Sequence, residues 1–98
     1  MLQRQQQVSL EETRAKRERE RAREARRALE RAAARRARRQ TELEHMIHRL
    51  ETRLVELEGQ LAVASSQKAV ERVRQLGVEY SQVETELDSL LAAWTDMG

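Results

Sequence analysis

Two runs of apolar residues, spaced alternately by four and three positions, constrain this chain more than any other feature. The first is Leu43, Ile47, Leu50, Leu54, Leu57, Leu61 and Ala64; the second is Val73, Leu76, Tyr80, Val83, Leu87, Leu90 and Trp94. That alternation keeps one stripe of an α-helix apolar, which is the a/d pattern of a coiled-coil seam. Between the runs lies VASSQKAV, which has no strong heptad signal and reads as a bend. Ser65 or Ser66 is a candidate cap for the second helix. Two runs of equal length on a short link predict an antiparallel hairpin. Pairing Ala64 with Val73, Leu61 with Leu76, Leu57 with Tyr80 and Leu54 with Val83 continues to Leu50 with Leu87, Ile47 with Leu90 and Leu43 with Trp94. Every layer closes without a slip, with small Ala64 near the bend and large Trp94 at the open end.

The expected fold is therefore all-α: a basic N-terminal helix over 1–40, then an antiparallel two-helix coiled-coil hairpin over 41–98. The hairpin helices are expected at about 41–64 and 68–96. Composition agrees. The chain has no Pro and three Gly, so little interrupts a helix. Charged residues make up 37% and aromatics 2%, which suits long helices and cannot fill a thick globular core. A two-helix core is thin, and it is expected to lean on a parent domain or a second copy. Whether the seam closes within one chain or between chains is open at this level.

Other classes are disfavoured. Without Cys there is no disulfide framework and no thiolate metal site. No segment nears the roughly 18 consecutive apolar residues of a membrane span. The opening MLQRQQQVSLEE has no apolar core of the signal-peptide kind, so a cytoplasmic location is expected.

The net charge of +2 hides a division. Residues 1–40 hold 14 Lys+Arg against 6 Glu, a net +8; residues 41–98 hold 5 against 11 Asp+Glu, a net −6. Ser9 with Glu12 fits a capping box at the start of the basic helix, frayed before Ser9. Glu12–Lys16, Arg26–Glu30, Glu18–Arg21 and Glu20–Arg23 have the spacing of helix-stabilising ion pairs. Ala15, Ala22, Ala25, Leu29 and Ala32 form only a weak apolar stripe. Arg27, Arg31, Arg35 and Arg38 lie on another stripe, flanked by Arg23, Arg26, Arg36 and Arg39, with no acid between Glu30 and Glu42. Such a surface suits a phosphate backbone, because each guanidinium binds phosphate bidentately and releases counterions. The alternatives are a solvated helical linker, an acidic protein or an acidic lipid. The helix lacks the bulky apolar face that interfacial helices bury. No aromatic residue interleaves the arginines, so contact is expected with RNA or DNA backbone and shape rather than with bases.

Nothing in the sequence points to an enzyme or a cofactor. His45 and His48 in EHMIH are three apart but fall at outward f and b positions, without H-E-x-x-H or a third ligand cluster. Phosphate-loop, dinucleotide and nucleophile-elbow motifs are absent. Gly59 and Gly77 fall at surface heptad positions.

The stretch TELEHMIHRLETRLVELEGQLA, with ETELDSLLAAWTDM near the end, resembles the C-terminal coiled-coil domain of ABC-F ATPases, including Uup-type proteins. The matching features are the L-E repeats and then Glu86-Leu87, Leu90, Leu91 and Trp94, over about residues 41–97. The resemblance implies an accessory module appended to parent ATPase domains that work on ribosomes or nucleic acid. It adds to the expectation of a non-catalytic chain that docks on nucleic acid through arginine while the hairpin acts as a spacer. The alternative is a protein-interaction or homo-oligomerising coiled coil. Thr41 with Glu44 makes a second capping box, so the helix either continues through Gln40 or restarts there.

Overall fold

The computed structural model describes residues 2–97 and contains two helices, α1 (Leu2–Ser66) and α2 (Val70–Met97). Its contacts divide the chain into two compact units, Met1–Arg36 and Ala37–Gly98. The second unit is the expected antiparallel hairpin. Its boundary falls a turn ahead of the charge switch at Gln40. The seam register explains this: it sets Met97 opposite Gln40, so α2 reaches back to the residues just before Thr41.

α1 passes through Gln40 and Thr41 without a break. Thr41 is therefore no N-cap; its hydroxyl donates to the Ala37 carbonyl at 3.0 Å, one turn back. Ser9 is likewise interior to α1, which starts at Leu2, and its carbonyl accepts from the Thr13 hydroxyl at 2.9 Å. Both capping expectations fail for one reason. Strong helix formers lie on either side of each site, residues 5–7 and 10–12 around Ser9 and residues 37–39 and 42–44 around Thr41, so propagation is cheaper than a new start. The described helix already begins at Leu2, ahead of the start expected at Ser9.

In the first unit, the described side chains from Gln3 to Arg36 are exposed apart from half-buried Ala15. The four spaced charge pairs expected there do not close among the described residues. Exposed pairs gain little from holding one geometry. This helix rests on propensity and backbone hydrogen bonds.

In the hairpin, Leu43, Ile47, Leu57, Ala64, Leu76 and Val83 are buried. Leu57, Ala64, Leu76 and Val83 form the central cluster, with Leu50, Leu54, Leu61, Val73 and Tyr80 packed against it. Leu87 and Leu90 are half-buried. Trp94 differs from the expectation of a core residue: it is 40% exposed. With Leu43 at d and Val73 at a, five of the six buried residues are at d, and six of the seven a positions, all but Ile47, keep some exposure.

The cause of that asymmetry is at the flanks. In an antiparallel pair, d residues adjoin the g–g edge and a residues the e–e edge. The g edge is bridged: Arg53 reaches Glu79 from Nε at 3.0 Å and Nη2 at 2.6 Å, and Arg72 Nη2 donates to Gln60 at 3.4 Å. No cross-helix ion pair closes the e edge among the described residues.

The turn is made without glycine or proline. Lys68 adopts a left-handed φ of 57°. The Ala69 amide donates to the Ala64 carbonyl and the Lys68 amide to the Ser65 carbonyl, both at 3.0 Å. That is a Schellman motif with Lys68 at C′, and the accompanying apolar contact is Ala69 packed against the cluster that holds Ala64. Ser65 and Ser66 thus end α1 rather than capping α2. Ala69 stands in the cap position, with the Val73 amide donating to its carbonyl at 2.9 Å.

Candidate nucleic-acid interface

The candidate interface is a stretch of helix, because α1 is where the sequence concentrates its cations. Arg23, Arg26, Arg27, Arg31, Arg35 and Arg36 lie on the first unit, and Arg38 and Arg39 on the first turn of the second; all are exposed. Arg27, Arg31 and Arg35 recur every four residues, so each step rises about 6 Å along one side of the helix. Among the described residues, Arg23, Arg26, Arg27, Arg31, Arg35, Arg38 and Arg39 make no ion pair with a carboxylate. Their donors point into solvent, with five N–H groups on each guanidinium open to an incoming anion.

The hairpin is electrostatically different. On its bridged g edge, hydrogen bonds from Arg53 to Glu79 and then to Glu56 hold the Arg53 guanidinium above its ordinary pKa. Near the turn, Arg74 donates to Glu71 and lowers the Glu71 pKa. On the e edge, the Tyr80 hydroxyl donates to Glu58 at 3.1 Å and the Trp94 indole Nε1 to Glu44 at 3.2 Å. The Tyr80 pKa is pushed up, first by that hydrogen bond, then by desolvation and by the charges of Glu58 and Glu84. Glu44 also accepts from the Gln40 amide at 3.5 Å.

His45 and His48 are exposed, and among the described residues no group of three or more His, Cys, Asp or Glu is placed to hold a metal ion. No described helix is long and apolar enough to cross a membrane. The hairpin-edge residues that sequence reasoning missed are the cross-helix partners Glu44, Arg53, Glu58, Gln60, Arg72 and Glu79. Their signal was in the register: once the layers are aligned, Arg53 with Glu79 and Gln60 with Arg72 are the facing g–g pairs. No protein-family model matches the chain, and comparison with curated proteins and with solved structures finds no match.

Proposed function

We propose that this chain is a non-catalytic accessory module that docks on nucleic-acid phosphates through the arginine-rich part of α1, with the hairpin as a rigid spacer. One observation supports the reading above others: Arg23, Arg26, Arg27, Arg31, Arg35, Arg38 and Arg39 are exposed and make no ion pair with a carboxylate among the described residues, on a stretch of α1 ahead of the seam whose own side chains are almost all exposed. Guanidinium groups arranged this way exchange condensed counterions for protein contacts, so binding is sequence-tolerant and steeply salt-dependent. The net charges of +8 and −6 on the two parts of the chain favour contact by residues 1–40 and disfavour it by the hairpin. The likeness of residues 41–97 to the coiled-coil tails of ABC-F ATPases is compatible with such a module working on ribosomal RNA or DNA.

The test is fluorescence anisotropy with labelled duplex DNA and duplex RNA at about 50 mM salt. The full chain binds, and the triple variant Arg31→Glu, Arg35→Glu, Arg38→Glu loses binding while keeping its helical circular dichroism. Absence of binding by the unmodified chain at that salt rejects the reading.

A further inference from the structure

The open e edge of the hairpin and the second face of the basic helix have no partner in the reading above. Along the e edge the a-layer side chains are left partly uncovered, Tyr80 and Trp94 among them, and Leu91 beside them is 40% exposed. Glu44, Glu51 and Glu58 line one side of this apolar strip at seven-residue spacing, and Glu84 lies on the other. Glu44 and Glu58 accept hydrogen bonds from uncharged groups, and Glu51 and Glu84 have no cation partner among the described residues. The edge is thus an apolar strip bordered by acids, whereas the opposite edge is closed by its own arginines.

The basic helix carries the complement. At 3.6 residues per turn, Ala15, Glu18, Ala22, Ala25, Leu29 and Ala32 share one face, with Arg19 and Arg26 along one margin and Arg14 and Arg21 along the other, and the stripe through Arg27, Arg31, Arg35 and Arg38 lies on the far side. Leu29 is 71% exposed on that face. Alanines let another helix approach closely, Leu29 supplies an apolar knob, and Arg19 and Arg26 repeat at the same seven-residue spacing as the glutamates. Four arginines at its margins, Arg14, Arg19, Arg21 and Arg26, against the single Glu18 make the match with the acid-bordered edge one of charge.

We infer that the open e edge of the hairpin is the docking surface for the Ala15–Ala32 face of the basic helix from a second copy of this chain. The seam remains within each hairpin, and the contact leaves the arginine stripe facing outward. Self-association therefore uses the side opposite the stripe that runs from Arg27 to Arg38, sharing with the phosphate-binding run only Arg26 at its margin, and mutation of the stripe separates the two.

Sedimentation velocity of the full chain at about 50 and about 500 mM salt tests this, since charge-steered association weakens as screening grows. Salt-sensitive self-association is expected at the lower salt. The edge variant Glu51→Lys, Glu58→Lys, Glu84→Lys and the helix variant Arg19→Glu, Arg26→Glu are each expected to associate at least about tenfold more weakly alone. An equimolar mixture of the two restores association, because the reversed charges again face opposites. The helix variant alters only a solvated surface and leaves the hairpin intact, so misfolding does not account for its loss. The variant Arg31→Glu, Arg35→Glu, Arg38→Glu is expected to self-associate like the unmodified chain, which separates this inference from the phosphate reading. A monomer at about 50 mM salt, association indifferent to either reversal, or a mixture that fails to restore it overturns the inference.

Discussion

Replacing Lys68 by glycine isolates the energetics of the turn. Lys68 holds a φ of 57°, where a side chain crowds its own backbone at a cost of roughly 1–2 kcal/mol that glycine does not incur. Glycine has more freedom to lose on folding, which returns about 0.5–1 kcal/mol of that gain. The Lys68 side chain is exposed and makes no described contact, so truncation removes nothing else. The two Schellman hydrogen bonds, Ala69 to Ala64 and Lys68 to Ser65, use backbone atoms and survive the change. The net expectation for Lys68→Gly is a stabilisation of about 0.5–1 kcal/mol, or a rise in melting temperature of about 2–8 °C. Lys68→Val is the matched control: a β-branched residue is still less tolerant of positive φ, and stability falls. Urea and thermal melts followed by circular dichroism read both changes. A glycine variant no more stable than the parent, with a valine variant that is unaffected, would refute a left-handed residue at this turn.

Other outcomes follow from the same geometry. Leu57→Ala, at a fully buried site, costs about 2–5 kcal/mol in a urea melt, and Leu54→Ala, half-buried at an a position, costs less. A built Cβ at Gly59 or Gly77 meets nothing within 4 Å, so each glycine-to-alanine change stabilises its helix by about 0.5–1 kcal/mol; destabilisation would mean a close approach exists there. Tyr80 titrates above its ordinary value of 10.0, so its hydrogen bond to Glu58 supports the fold below that value and is lost as pH rises through the raised pKa. Glu58→Gln brings the phenol titration back down, measured by ultraviolet difference absorbance. Glu71 has the opposite sign: its lowered pKa contributes stability above the ordinary 4.5 that is lost as pH falls through the folded value, and Arg74→Ala abolishes that contribution.

The hairpin was legible because a heptad pattern carries both helix periodicity and partner register. Leu57 and Leu76 need only sequence spacing to be assigned to the seam, and both are fully buried. The difference between the two edges was harder to read. A heptad pattern treats a and d alike, and only the identity of the flanking residues, Arg53 with Glu79 against Glu51 with Glu84, decides which side is covered. The exposure of Trp94 follows from the same edge. The turn misled the reading because serine is a good cap in isolation. Here the chain ends α1 with a left-handed lysine, which no propensity rule favours. The capping boxes at Ser9 and Thr41 misled it too: the motif is local, and strong helix formers on both sides carried the helix through. The arginine stripe was legible as a pattern of charge. Its ligand was not, because phosphate contact requires only exposed cations, which a solvated helix also has.

The most direct test of the division of labour along the chain is the salt dependence of nucleic-acid binding, plotted as the logarithm of affinity against the logarithm of salt concentration. For duplex DNA each phosphate contact contributes about 0.9 to the slope, so the four-arginine stripe gives a slope of about −3.6. Removing Arg31 as Arg31→Ala reduces the magnitude by about 0.9, whereas Leu57→Ala in the seam leaves the slope unchanged at temperatures where the hairpin is folded. A flat plot, or a slope that follows the seam variant and ignores the arginine one, would contradict the assignment of anion contact to the helix before Gln40 and of shape to the hairpin after it.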